Sequence, residues 1–408
     1  MELTLLGTGG PDGLPVPDCP CAVCALATGD RARGATSVLV DGAVLLDLLP
    51  GVALAAARAG RTLGGLRLVL LSHPHDGPPV EIPPGLPAPA RVPDGRELPV
   101  LTGHRVRAVA TDALGTGYEV ESPDGLRALY LPPGCAPAGL ADNGNHGVEG
   151  AAAVPYDLVL LDVVGRPDAL ARLRAAGAVA GTTDVVAVHL GHEAPPGPEL
   201  DRRLAALGAR AVPDGTTLTV GDYRHVPDLP RRTLVLGGAR SGKSAEAERR
   251  LAAFPDVLYV ATGGTRDGDA EWAERVAAHR ERRPAAWRTA ETCDLLPLLA
   301  DGSGPPLLID CLSLWLTHVM DEAGAWDDQN WREHAGDSVG ARIDALRAAW
   351  RATRRTVVAV SNEVGSGVVP PTASGRRFRD ALGRLNAAVA AESDHVLLTV
   401  AGMSMPLR

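Results

Sequence analysis

Eight consecutive residues, Gly237-Gly238-Ala239-Arg240-Ser241-Gly242-Lys243-Ser244, have the types and spacing of a phosphate-binding loop, G-x-x-x-x-G-K-[ST]. Glycines let successive backbone N–H groups turn inward around a phosphate, and a helix N-terminus behind them adds partial positive charge. In that arrangement Lys243 reaches the terminal phosphates and the Ser244 hydroxyl takes a place on Mg²⁺. The metal needs a second acidic group. Asp310 closes the apolar run Leu307-Leu308-Ile309, where a parallel strand would deliver a carboxylate beside the loop. The alternative for Asp310 is a cap on the helix that follows.

A second reactive candidate is His279, followed by Arg280, Glu281, Arg282 and Arg283. A histidine beside three arginines suits a nucleophile facing a triphosphate, because the cations neutralise the phosphates it must approach. The plain alternative is a solvated histidine on a charged helix. Cys19, Cys21 and Cys24 fall within six residues, a metal-ligand spacing rather than a bridging one, and suit a structural zinc with a histidine such as His225 as fourth ligand. Cys135, Cys293 and Cys311 are isolated and read as buried thiols.

The phosphate loop works only between a strand and a helix. Thr233–Leu236 is a short apolar run and Ser244–Ala253 has helical composition. Beyond it, Val257–Ala261, Leu307–Asp310, Thr356–Ser361 and Val396–Val400 read as strands, and Ala270–Arg282, Val339–Arg354 and Ser374–Ala391 as helices. Short continuous apolar strands with helical crossovers predict a parallel sheet buried on both faces. Before it, Glu2–Leu6, Ser37–Val40, Ala43–Leu48, Leu66–Ser72, Ala128–Leu131, Leu158–Asp162 and Val185–Leu190 read as strands. The proline-rich stretch Pro78–Pro99 reads as loop. Two prolines and two arginines in residues 226–232 predict a linker, giving domains 1–225 and 233–408.

The chain has 408 residues, enough for two or three domains at about 150 each. Hydrophobic residues at 45% and charged residues at 22% exclude a wholly disordered chain. Aromatic residues at 3% and a net charge of −9 argue against a nucleic-acid surface built on stacked bases or phosphate contacts. The first residues lack a basic segment before an apolar one. No apolar run approaches the roughly 20 residues of a membrane span; Ala43–Ala57 is broken by Asp47, Pro50 and Gly51. A cytoplasmic location is expected.

From Thr233 to Arg408 the chain resembles the bifunctional adenosylcobinamide kinase / adenosylcobinamide-phosphate guanylyltransferases. The resemblance is carried by Gly237–Ser244, Ala261-Thr262-Gly263, His279 with the Arg-Pro-Ala-Ala-Trp-Arg-Thr-Ala-Glu that ends at Glu291, and Asp310-Cys311-Leu312-Ser313. Further on it includes Ser361–Pro370, Arg377-Phe378-Arg379-Asp380 and Gly383-Arg384-Leu385-Asn386. It implies a P-loop NTPase-type, mostly parallel sheet with flanking helices. The implied reactions are phosphorylation of adenosylcobinamide with ATP or GTP, then transfer of GMP from GTP through a GMP–histidine at His279. Nucleotide contacts are implied for Gly237 to Ser244, for Ala261, Thr262 and Gly263, for Arg280, Glu281, Arg282 and Arg283, and for Glu291 and Asp310. Mg²⁺ accompanies the nucleotide, and a homo-oligomer is expected.

Upstream, Gly7-Thr8-Gly9-Gly10, the cysteine cluster, Ser72-His73-Pro74-His75-Asp76 and Leu161-Asp162 occur in an order similar to that of metallo-β-lactamase-fold proteins, which implies an αββα sandwich. That family's H-x-H-x-D-H is broken here, with Asp76, Gly77 and Pro78 after His75. Asp162 and His189 read as remnants, and the domain as degenerate. A second reading of the whole chain is a metal-dependent hydrolase with a nucleotide-binding regulatory module.

Overall fold

The computed structural model describes residues 1–74, 82–138, 154–193, 195–222, 230–264, 274 and 283–408. These form two compact units. One is Met1–Leu229 with Ala253–Pro255; the other is Pro230–Ala252 with Asp256–Arg408.

In the first unit β1 (Glu2–Gly7), β2 (Ser37–Val40), β3 (Val44–Leu46), β4 (Leu68–Leu70) and β11 (Thr216–Thr219) form one sheet, in the order β11-β1-β2-β3-β4. A second sheet contains β5 (Glu97–Pro99), β6 (Arg105–Ala110), β7 (Thr116–Glu121), β8 (Arg127–Tyr130), β9 (Leu158–Leu161) and β10 (Asp184–Ala187), in the order β10-β9-β8-β7-β6-β5. Strand side chains alternate between faces, so strands such as β2 and β9 feed two cores. Leu3, Leu5, Val38, Val40 and Leu46 meet Val106, Tyr118, Val120, Leu158 and Val186 between the sheets. Their neighbours Leu39, Leu45 and Val69 face α2 (Val52–Arg58), and Leu129, Val159, Leu161 and Val185 face α3 (Pro167–Ala175) and α4 (Pro198–Ala206). The result is the αββα sandwich that the resemblance implies. The stretch Pro78–Pro99 departs from expectation at its end: Glu97–Pro99 pairs antiparallel with β6 as an edge strand, where proline is tolerated.

The second unit is one sheet of seven strands. These are β12 (Arg232–Gly237), β13 (Leu258–Ala261), β14 (Arg288–Glu291), β15 (Leu307–Asp310), β16 (Val357–Asn362), β17 (His395–Val400) and β18 (Met403–Pro406), in the order β14-β13-β15-β16-β12-β17-β18. All pairings are parallel except β17 with β18. Leu234, Val260, Ile309, Val357 and Ala359 pack against Trp315, Leu316, Val339, Leu346, Trp350 and Leu385 from flanking helices Leu312–Glu322, Gly336–Ala352 and Ala373–Ala391. Trp350 is fully buried, and its indole N–H donates to Ser393 Oγ at 3.1 Å. The helix expected at Ala270–Arg282 lies outside the described residues except for Glu274, which is helical.

Candidate active site and metal centre

Register brings the predicted groups of the second unit to one edge. Ala261 pairs with both Glu291 and Asp310, Asp310 pairs with Val360, and Val360 pairs with Val235, two residues before Gly237. In an open parallel sheet the carboxyl ends of the strands are where ligands bind. The phosphate loop leaves β12 at this edge and runs into α5 (Lys243–Leu251), which packs against β12, β15, β16 and β17.

The loop's glycines have separate tasks. A Cβ on Gly237 would stand 2.4 Å from Ser241 Oγ and 2.6 Å from the Thr399 carbonyl, so only glycine lets the chain turn there. Gly242, the N-cap of α5, has φ +96°, a conformation costly for other residues, and a Cβ there would lie 3.1 Å from the Gly402 Cα. Arg240 also takes a left-handed φ of 56°, a strained backbone of the kind that clusters at ligand clamps. Gly238, Ala239 and Arg240 are exposed, and Lys243 Nζ arches back to donate to the Gly238 carbonyl at 3.0 Å. Ser244 begins the helix beside Lys243 and is half-buried.

Asp310 does not cap the next helix; Cys311 is that N-cap, without a side-chain capping bond. Instead an Asp310 carboxylate oxygen accepts from Tyr259 OH at 2.9 Å. Burial first, then the Asp310 charge, pushes the Tyr259 phenol well above its ordinary value, so it stays a proton donor to that carboxylate. The Arg283 guanidinium lies 3.7 Å from the centroid of the same ring. Tyr259 therefore joins Arg283 to Asp310, a link the motif reading missed. Its only sequence signal is its position two residues before Ala261, on the same strand. Thr262 Oγ1 donates to the Cys311 carbonyl at 2.7 Å and accepts from the Cys311 amide at 2.9 Å, tying the ends of β13 and β15 together. Gly263 follows directly, and Glu291 is exposed at the end of β14. His279, Arg280, Glu281 and Arg282 lie outside the described residues.

In the first unit the cysteine cluster gains a ligand that the sequence did not single out. Cys19 and Cys21 precede α1 (Ala22–Leu26) and Cys24 lies in it. The three sulfurs stand 3.4, 3.9 and 3.6 Å from His192 Nδ1, and the four donor atoms all lie within 4.8 Å of one another. A tetrahedral zinc with Zn–S of about 2.3 Å and Zn–N of about 2.0 Å sets S···N separations near 3.5 Å, so the donor set fits zinc. The Cys24 backbone N–H donates to Cys21 Sγ at 3.4 Å and, as the main cause, lowers the Cys21 thiol to about 7, while burial raises Cys24. The expected fourth ligand, His225, lies outside the described residues; the histidine at the cysteines is His192. Of the lone cysteines, Cys135 and Cys311 are buried thiols as expected, whereas Cys293 is only half-buried.

His73, His189 and Asp162 serve other partners. Asp47 is fully buried and accepts from the Ser72 amide (2.7 Å), Ser72 Oγ (2.5 Å) and Tyr130 OH (2.6 Å), and Ser72 Oγ lies 2.9 Å from His73 Nδ1. Burial opposes ionisation of Asp47, but His73 and these hydroxyls outweigh it and hold the carboxyl below its ordinary value. His189 Nε2 lies 3.0 Å from the Leu131 carbonyl, and burial lowers its imidazole to about 4. Asp162 accepts from the Gly165 and Gly134 amides, and burial raises it. Among the described residues these three do not converge as metal ligands. His75 and Asp76 lie outside the described residues.

Residues 233–407 match the family model described as cobinamide kinase / cobinamide phosphate guanyltransferase. The bifunctional adenosylcobalamin biosynthesis protein CobU of Salmonella typhimurium is 38% identical over 180 residues, 43% of this chain and 98% of that protein. CobP of Pseudomonas aeruginosa is 41% identical over 186 residues, 43% of this chain and 97% of that protein. Among solved structures, a diphosphatase of the PhnP family covers 53% of this chain and 97% of its own at 20% identity and TM-score 0.38. Zn(2+)-bound PqqB from Methylobacterium extorquens covers 54% and 100% at 16% identity and TM-score 0.38. Through the phosphate-loop half, the chain belongs to the cobinamide kinase / cobinamide phosphate guanyltransferase family.

Proposed function

We propose that the chain phosphorylates adenosylcobinamide with ATP or GTP, then transfers GMP from GTP to that phosphate, giving adenosylcobinamide-GDP. The observation that carries the reading is the phosphate loop and Asp310 meeting at the same sheet edge, within the residues that match the family. Gly237, Gly238, Ala239, Arg240, Ser241 and Gly242 cradle the phosphates, and Lys243 neutralises the terminal ones. Ser244 and Asp310 would hold Mg²⁺, which supplies charge neutralisation between the phosphates when bound. Ala261, Thr262, Gly263 and Glu291 border the nucleotide at neighbouring strand ends, and Arg280, Glu281, Arg282 and Arg283 are assigned to it as further contacts, the three arginines suiting its phosphates.

In the first step the corrinoid hydroxyl attacks the γ-phosphorus, losing its proton and releasing the nucleoside diphosphate. In the second, a neutral His279 nitrogen attacks the α-phosphorus of GTP and pyrophosphate leaves. The phosphate oxygen of the acceptor then displaces the histidine and breaks the P–N bond. Covalent catalysis splits one hard transfer into two easier ones.

In the same reading, Cys19, Cys21, Cys24 and His192 hold a structural zinc in domain 1–225, a degenerate sandwich kept for packing or partner binding. Residues 226–232 are proposed as the linker to domain 233–408, with Arg232 already paired to Val357 at the start of β12. Among the described residues no helix is long and apolar enough to cross a membrane. A cytoplasmic homo-oligomer that binds no nucleic acid completes the proposal. The hydrolase alternative gains no support from His73, which sits in the Asp47 hydrogen-bond network.

The test is incubation of purified protein with cobinamide, ATP, GTP and Mg²⁺, with the corrinoid products identified by mass. The wild type is expected to give cobinamide phosphate and GDP-cobinamide. Lys243→Ala is expected to slow phosphorylation by about 100-fold or more, as losing a preorganised charge contact does. Unchanged phosphorylation by the variant would overturn the assignment of Lys243.

A further inference from the structure

Arg377-Phe378-Arg379-Asp380 and Gly383-Arg384-Leu385-Asn386 help carry the family resemblance, yet the nucleotide chemistry above uses none of them. They occupy the middle of helix Ala373–Ala391. That stretch adjoins the active edge of the sheet through Asn386. Asn386 Nδ2 donates to the Asn362 carbonyl at 2.9 Å, its Oδ1 accepts from Ser361 Oγ at 2.6 Å, and the next amide, Glu363 N–H, donates to the Gly237 carbonyl of the phosphate loop at 3.1 Å.

Beside this junction lies an open groove of about 670 Å³, lined by Trp331, Gly365, Arg377, Arg379, Asp380 and Arg384 among others. Its three cations are not equivalent. Arg377 is committed to the fold: it donates to the carbonyls of Ala325, Trp326 and Asp327 and pairs with Asp328. Arg379 has Asp380 at 3.6 Å. Arg384 is exposed, and among the described residues it has no hydrogen-bond or ion-pair partner. The groove also offers an indole, and the loop beyond Gly365 carries Val368 and Val369, 94% and 56% exposed. A guanidinium that shares a groove with an indole, next to a loop carrying two exposed valines, suits an anion attached to a bulky body with apolar faces. The acceptor of the second step, a phosphate monoester on a corrinoid, is such a molecule, and it must approach the nucleotide from this edge.

We infer that this groove receives the phosphorylated acceptor, with Arg384 holding its phosphate. The inference rests on the two-step reading above and adds the place where the second substrate sits. It is tested on the full chain with adenosylcobinamide phosphate and α-labelled GTP. Arg384→Ala removes an exposed helix side chain and leaves the core untouched. It is expected to raise KM for adenosylcobinamide phosphate at least tenfold, while KM for unphosphorylated adenosylcobinamide in the first step changes less than twofold. Labelling of the protein by GTP should be unchanged, and Arg384→Lys should recover much of the lost affinity. Equal KM changes for both acceptors, or none for the phosphorylated one, would overturn it. So would an altered assembly mass by light scattering with acceptor KM unchanged, which would make the groove a contact between copies of the chain. If the wild type is neither labelled by GTP nor forms a GDP-corrinoid, the two-step reading fails and takes the inference with it. If the wild type does both and only the Arg384 prediction fails, the inference alone is lost.

Discussion

His192 stands 168 residues beyond Cys24, and no spacing rule connects them. The three cysteines are legible as ligands because they are close in sequence; the histidine is not, since eleven are available and only the fold selects one. Protein purified without chelator is expected to carry one zinc per chain by elemental analysis. His192→Ala should weaken zinc retention at least tenfold, and His225→Ala should leave it unchanged. The reverse pattern would return the fourth position to His225. Lys243, Ser244 and Asp310 were legible for a different reason: each is defined by a local pattern, a loop motif or the end of an apolar run. Tyr259 was not, because a tyrosine in a buried strand looks like core until its hydroxyl is seen to meet Asp310.

Among the elements, β12, β13, β15, β16 and β17 were legible because strands buried on both faces read as unbroken apolar runs. The edge strand β14, Arg288–Glu291, is mostly exposed and carries no such run. In the first unit β6 and β7 were hidden by charge: Arg105 pairs with Glu121 and Arg107 with Glu119 across the two strands, so their sequences read as polar surface. Gly242 is where the element scale meets function, since its positive φ turns the loop into α5. Gly242→Ala puts a Cβ into a conformation costing about 1–2 kcal/mol and against the Gly402 backbone. We expect a correspondingly lower unfolding free energy in denaturant titrations, together with loss of nucleotide binding by at least tenfold. Wild-type affinity in this variant would show that the turn is not needed for phosphate binding.

For the whole molecule, the parallel sheet of the second unit was legible from its strand pattern and the sandwich of the first from the family resemblance, while the pairing order and the sandwich core came only from long-range contacts. Stability should depend on pH through His189. Its folded value of about 4 lies below the unfolded value of about 6.5, so between these limits the unfolded chain binds the extra proton and stability falls as pH drops. The expected loss from pH 7 to pH 5 is about 2 kcal/mol, read from denaturant midpoints by far-ultraviolet circular dichroism. His189→Asn, which tolerates the left-handed backbone at φ 58°, should flatten that dependence, and an unchanged slope would contradict it. The central claim is that the molecule passes GMP through its own histidine to a phosphate that it has itself installed. It is tested most directly by incubating wild type and His279→Ala with cobinamide, ATP, Mg²⁺ and α-labelled GTP, following the protein-bound label and the corrinoid products together. The wild type should take up label that is lost in acid and kept in alkali, as a P–N bond behaves, and should yield GDP-cobinamide. The variant should take up none and accumulate cobinamide phosphate at a rate within about tenfold of wild type, roughly 1.4 kcal/mol in barrier. GDP-cobinamide formed by His279→Ala at the normal rate would contradict the account.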